Sequence, residues 1–316
     1  MQKALKILVI RFSSIGDIVL TTPVVRALKK QINAEIHYLT FSKFSNLISS
    51  NPYIDKVHSI EENIKEVVAT LKDENYDFII DLHHNIRTQI LKQKLGIKSK
   101  SFRKINVQKW LMTTFKINFL PNLHIVDRYM ETIKYLGVEN DNLGLDFFLT
   151  EKDKVENLEN DFVAFAIGGK HETKKLPKEK IVSICEKIDK KIMLIGGDED
   201  FEIGKKIVAK TTNTQNTCGK YSLGQSAFII KNAKYIITHD TGMMHIAAAF
   251  KKKIYSVWGN TIPAFGMSPY LANLNSKIIE VANLSCRPCT KIGHQKCPKG
   301  HFDCMQKIDE NLFLNE

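Results

Sequence analysis

Leu5-Lys6-Ile7-Leu8-Val9-Ile10-Arg11-Phe12-Ser13-Ser14-Ile15-Gly16-Asp17 runs from a β-rich apolar segment through polar turn residues into a helical pattern. Apolar side chains at nearly every position of 5–10 fit a strand covered on both faces, as in a parallel sheet. In the helix that follows, Val24, Ala27 and Leu28 share one face while Arg26, Lys29 and Lys30 point away, and Pro23 is tolerated near the first turn. A strand at 35–41, a helix at 61–74 and a strand at 76–81 continue the alternation, which predicts an α/β domain with helices on both faces of a parallel sheet.

Further out, 138–160 is a polar stretch that reads as a linker. Beyond it the alternation resumes, with strands at 162–167, 191–195, 235–238 and 253–258 and helices at 178–187, 202–210 and 242–250. Two nucleotide-binding-type α/β domains are expected, 1–150 and 151–316, facing one another with a ligand cleft between the C-terminal edges of their sheets.

A chain of 316 residues, 43% apolar and 25% charged, suits two such domains, and no run approaches the roughly 18 apolar residues of a spanning helix. Met1-Gln2-Lys3-Ala4 leads into an apolar run too short and too soon broken for a signal peptide, so a cytoplasmic protein is expected. The 46 Lys and Arg outnumber the 34 Asp and Glu, a formal net charge of +12 that favours anionic partners without choosing among nucleotide, nucleic acid and membrane surface.

Four places carry candidate chemistry. Asp17, just after Gly16 in the first strand-to-helix turn, reads either as a first-turn acid favoured by the helix dipole or as a general base. Gly168-Gly169-Lys170 and Lys174-Lys175 follow the first strand of the second series, where glycine backbone and ammonium groups meet a diphosphate or simply face solvent. His239-Asp240-Thr241-Gly242-Met243-Met244-His245 ends a strand and opens an apolar helix whose free N–H groups suit phosphate oxygens; His245 reads equally as a packed core histidine. Arg87, Lys98, Lys100, Arg103, Lys104 and Lys109, interleaved with Phe102, Trp110 and Phe115, suit an acidic acceptor at a membrane surface, or a solvated helix face. Asp198-Glu199-Asp200 reads as first-turn acids rather than a metal triplet. Cys286, Cys289, Cys297 and Cys304 have poor zinc-ribbon spacing, and a reduced, packed segment is the better reading.

Together, Ile10-Arg11-Phe12-Ser13-Ser14-Ile15-Gly16-Asp17 with Thr21-Thr22-Pro23, then Lys174-Lys175-Leu176-Pro177, then Asp240-Thr241-Gly242-Met243-Met244-His245-Ile246-Ala247-Ala248-Ala249, then Cys286-Arg287-Pro288-Cys289 with Cys304-Met305, resemble the family 9 glycosyltransferases, the ADP-heptose:lipopolysaccharide heptosyltransferases. That resemblance implies the type-B architecture of two Rossmann-like domains, the first for the acceptor and the second for the nucleotide sugar. It also implies inverting transfer of a heptose or related sugar from an ADP-sugar to a lipopolysaccharide core acceptor, with no cofactor and no metal ion. By motif, Asp17 corresponds to the base and Lys174 to the cation on the donor diphosphate. Gly16, Gly168, Gly169, Asp240, Thr241, Gly242 and His245 fall in the donor site, Tyr221 by the adenine and Glu202 by the ribose. Ser14, Arg87, Arg103 and Lys104 fall on the acceptor side. Leu176 departs from the tryptophan usual in the family. Peripheral contact with the cytoplasmic face of the inner membrane is expected, and nucleic acid is not. The rival readings are a nucleotide-dependent oxidoreductase, for which the first turn lacks G-x-G-x-x-G, and a basic zinc-containing nucleic-acid module.

Overall fold

A computed structural model describes residues 4–314. Met1 to Lys3, where the leader reading begins, lie outside the described residues. The chain divides into two compact units: 1–104 with 123–148, and 105–122 with 149–316.

In the first unit, β1 (Lys6–Ile10), β2 (Glu35–Phe41), β3 (Lys56–Ile60), β4 (Phe78–Asp81) and β5 (Ser99–Ser101) form a parallel sheet in the order β3-β2-β1-β4-β5. The mostly apolar run is the central strand, and Ile7, Leu8, Val9 and Ile10 are fully buried. The strand predicted at 76–81 is thus the fourth. The short, half-polar β3 and β5 fall at the two sheet edges, where one face of each strand needs no apolar cover. Two helices replace the single one read after Asp17: α1 (Ile15–Val19) and α2 (Thr22–Ile32), with Pro23 in the first turn of α2. Then come α3 (Lys65–Asp73) and α4 (Ile86–Leu95). Asn85 caps α4 by accepting the Thr88 N–H at 2.9 Å, and Gly96 ends it at φ +67°.

Residues 139–148 have no regular structure but are not slack. Arg26, 2% exposed on α2, donates from Nε and Nη2 to Asp141, both at 2.7 Å, reaches the Gly144 carbonyl at 2.8 Å and pairs with Asp146. The forked guanidinium matches this set of carboxylates and carbonyl. An arginine predicted to face away from the core is therefore the pin that fastens the supposed linker.

The helix α5 (Asn106–Phe115) groups with the second unit, whereas α6 (Ile125–Met130) returns to the first. The second unit's sheet is β6 (Phe162–Ala166), β7 (Lys191–Ile195), β8 (Thr214–Asn216), β9 (Tyr235–His239), β10 (Lys253–Trp258) and β11 (Lys277–Glu280), ordered β11-β10-β9-β6-β7-β8 and parallel throughout. Counted from β6, this is the doubly wound nucleotide-binding order, with its reversal between β6 and β9. The helices are α7 (Lys178–Lys187), α8 (Phe201–Val208), α9 (Leu223–Asn232), α10 (Gly242–Ala249) and α11 (Asp303–Gln306). No described helix is long and apolar enough to cross a membrane.

Candidate functional site

Each unit places charged residues where its central strands end. In the first, β1 runs into α1, and Asp17 is the third residue of that helix. Ser14 precedes the helix, and its hydroxyl donates to Asp17 Oδ2 at 2.8 Å. This is the first-turn arrangement that the plain reading of Asp17 describes. The second oxygen has a different partner: Arg11 Nη2 meets Asp17 Oδ1 at 2.9 Å. Arg11 is 8% exposed and held on every side, Nε donating to the Ser13 carbonyl at 2.6 Å and Nη1 to the Leu82 carbonyl at 2.6 Å and the Tyr129 hydroxyl at 3.0 Å. Its guanidinium is a fixed part of the interior, and the Asp17 carboxylate is aimed by it. Gly16 is buried within α1.

Around this pair, Phe12 stacks on Phe41 at 5.1 Å and meets the edge of His83 at 5.2 Å, and the exposed Arg87 lies 5.7 Å over Phe41. Burial, then the positive charges of Arg11 and Lys104, push His83 down to about 4, so it is a neutral ring at pH 7. Desolvation and the same Arg11 charge lower Lys104 from its ordinary value. Arg103 and Lys104 are exposed, while Phe102 is buried with its ring 4.9 Å from Tyr129. The basic run is divided, because Lys109, Trp110 and Phe115 belong to the second unit, where Lys109 lies 5.1 Å over Phe265.

In the second unit, Lys174 Nζ meets Asp240 Oδ2 at 2.6 Å and the Asp240 carbonyl at 3.0 Å. Thr261, buried after β10, donates to the same carboxylate oxygen at 2.8 Å. Thr241 precedes α10 in extended conformation with its side chain making no cap bond, so the first amides of that helix are left for another acceptor. A Cβ on Gly169 would lie 3.4 Å from Thr241, which puts the end of β6 against this helix start. Gly168 has a packing reason of its own, since a Cβ there would fall 2.3 Å from Asp200 Oδ2. Lys174, Asp240, Thr241, Gly242 and Gly169 are therefore gathered at the reversal of strand order. His245, on α10, is 2% exposed, as a packed histidine would be. The exposed Glu202 lies in the first turn of α8 and the half-exposed Tyr221 precedes α9, both further along the edge after β7 and β8.

Asp200 belongs to the turn: its Oδ2 accepts the Gly197 N–H at 3.1 Å and its Oδ1 meets Lys175 at 3.3 Å. Lys175 and Asp200 themselves border a cavity of about 370 Å³, together with Ile167, Leu176, Ile203 and Phe302, and none of the predicted site residues lines it. His239 is fully buried; its Nε2 accepts the Leu176 N–H at 3.0 Å, and burial pushes it down to about 4.

The C-terminal segment braces this group, a role no pattern in the sequence marked. Arg287 donates to the carbonyls of Gly259 at 2.5 Å and Thr261 at 2.9 Å, and the amide of Cys289 donates to Asn260 at 3.1 Å. Thr173, next to Lys174, exchanges hydrogen bonds with the backbone of His294. All six cysteines are free thiols.

Residues 64–299 match the model of glycosyltransferase family 9 (heptosyltransferase). The chain is 26% identical over 344 residues to lipopolysaccharide heptosyltransferase 1 of Campylobacter coli, covering 98% of this chain and 97% of that one. Its structure resembles that of a family 9 glycosyl transferase from Veillonella parvula, with a TM-score of 0.80 at 23% identity over 99% of this chain and 96% of that chain. It also resembles E. coli heptosyltransferase WaaC with ADP, with a TM-score of 0.67 at 18% identity over 87% and 92%. These matches leave no place for the oxidoreductase and nucleic-acid readings.

Proposed function

The chain belongs to glycosyltransferase family 9, the heptosyltransferases, and from that premise we propose that it moves a heptose from ADP-heptose to a lipopolysaccharide core acceptor, inverting the anomeric centre without a metal ion. The donor and acceptor classes follow the names of its relatives. The observation that carries the mechanism is Asp17, with one oxygen anchored to a buried arginine and the other accepting the hydroxyl of the exposed Ser14, which an acceptor hydroxyl can replace.

In this reading Asp17 Oδ2 takes the proton of the acceptor hydroxyl as its oxygen forms the new bond to the anomeric carbon. The bond from that carbon to the diphosphate breaks on the opposite face, and a single displacement inverts the centre. Charge then grows on ADP. Lys174 and the amides at the start of α10 are the groups suited to offset it, a fixed charge and a helix terminus within the same unit. Metal independence draws support from Asp200, whose carboxylate is already committed to the Gly197 amide and Lys175.

Asp17→Asn is expected to fold and to bind ADP-heptose as the wild type does while losing about 10²- to 10⁴-fold in turnover. Lys174→Ala is expected to weaken donor binding about tenfold or more, the loss of a charged hydrogen bond. Near-normal turnover in the first variant, or an unchanged donor titration in the second, would remove the role assigned, and loss of turnover with EDTA while the thermal melt stays unchanged would refute metal independence.

Peripheral membrane contact is the further part of the proposal. Val107, Trp110, Phe115 and Phe119 are 66%, 49%, 55% and 66% exposed in a segment that also carries Lys109 and Lys116. Such a surface suits anionic lipid. Co-sedimentation with phosphatidylglycerol vesicles should fall in Trp110→Ser with Phe119→Ser, and equal binding would sink the idea.

A further inference from the structure

At the other end of the first sheet from Asp17, three residues from separate elements converge. His37 lies near the start of β2, His58 in the middle of β3, and Glu74 just after α3. His37 Nδ1 and His58 Nε2 are 3.2 Å apart. Glu74 reaches both, with Oε2 3.8 Å from His37 Nδ1 and Oε1 3.7 Å from His58 Nε2. The donor atoms of all three lie within 4.8 Å of one another. A tetrahedral ion with bonds of about 2.0 Å holds its ligand atoms about 3.3 Å apart, so these separations need only small side-chain adjustments to close on one ion.

Two surrounding groups complete the pattern. The Tyr76 hydroxyl stands 2.8 Å from His37 Nδ1 and 3.0 Å from His58 Nε2, where a fourth oxygen donor belongs. On the other side of the ring, His37 Nε2 is 3.0 Å from Glu35 Oε1. A carboxylate there favours the tautomer with its proton on Nε2, which turns the Nδ1 lone pair toward His58 and Glu74, the usual outer support of a metal-bound histidine. His37 and His58 are 2% and 6% exposed.

We propose that His37, His58 and Glu74, with the Tyr76 hydroxyl as fourth donor, form a structural site for a zinc-class divalent ion that ties β2, β3 and the end of α3 together. Two imidazoles select zinc over magnesium or calcium. Lys6 and Lys56 also pair with Glu74 and oppose a dication, which makes the site a moderate binder. That opposition gives a sharp test, because Lys56 is half exposed and can be neutralised without disturbing the interior.

The experiment is equilibrium dialysis of the full, reduced chain against Zn²⁺, with X-ray absorption to identify the ligand atoms and thermal melting to follow the fold. A nitrogen and oxygen shell near 2.0 Å is expected. His58→Gln should weaken that binding at least tenfold, and Lys56→Met should tighten it about tenfold. Absence of zinc overturns the proposal. So does a purely sulfur shell near 2.3 Å, which would assign the ion to the C-terminal cysteines, or a nitrogen and oxygen shell indifferent to His58→Gln. If His58→Gln does not fold, Lys56→Met decides alone: tighter zinc binding supports the site, and unchanged binding ends it.

Discussion

Both units present an ion pair at the end of a central strand, and the two pairs are mirror images in chemistry. In the first, the cation is the anchor: Arg11 is buried with three other hydrogen bonds, and the carboxylate of Asp17 is the member that remains accessible. In the second, the carboxylate is the anchor, Asp240 being held by Thr261, while Lys174 is the member offered to a ligand. An accessible carboxylate suits taking a proton and an accessible ammonium suits receiving charge, which is the division of tasks that the proposed mechanism gives the two pairs.

The strongest way to break the comparison is to weaken the better-held anchor. Arg11→Lys keeps the positive charge but cannot reproduce the fork that bonds Asp17, Leu82, Tyr129 and Ser13 together. Turnover should fall on the order of 10-fold to 100-fold, with the donor titration unchanged, because misplacing a reacting group by about an ångström costs that much. Wild-type turnover in this variant would show that the arginine serves only the fold.

These anchors explain how much of the site could be read beforehand. The strand, turn and helix around Asp17 were legible because a covered central strand is apolar at nearly every position and an acid after a turn is a recognised helix start. Arg11 stands in the same stretch, yet two of its partners lie 71 and 118 residues away. No local pattern announces that. The edge strands β5 and β8, Ser99–Ser101 and Thr214–Asn216, were missed for the opposite reason: three largely polar residues carry no hydrophobic period. His37 and His58 likewise meet through sheet register, in which Leu39 rather than His37 is the partner of His58, and Glu74 joins them from the end of α3.

Acid sharpens the comparison further, since each unit holds near its ion pair a neutral histidine pushed down to about 4. A folded pKa below the unfolded value of about 6.5 means that the unfolded chain binds the extra proton. Stability from these rings is therefore intact above about pH 6.5 and lost as pH falls toward 4. For fully buried His239 the loss at pH 5 is about 2 kcal/mol, and for His83, only partly covered, it is smaller. Urea titrations at pH 7 and pH 5 should show His239→Gln closing more of the gap between the two pH values than His83→Gln. Equal effects would mean that the two histidines are equally shielded.

The finest test removes one hydroxyl from each anchor. Thr261→Val deletes one of the two side chains that hold the Asp240 carboxylate, leaving Lys174 paired with a carboxylate free to turn. Tyr129→Phe deletes one of four groups around Arg11, and the Leu82 carbonyl still fixes the same Nη1. A hydrogen bond to an ionised carboxylate contributes about 1.5–3 kcal/mol, only part of which reaches the donor through Lys174, so Thr261→Val should raise the donor KM by about threefold to fivefold with kcat unchanged. Tyr129→Phe should alter kcat by less than about twofold, because the remaining bonds over-determine the guanidinium. A larger effect for Tyr129→Phe than for Thr261→Val would reverse the ranking of the anchors, making Arg11 rather than Asp240 the weakly supported member.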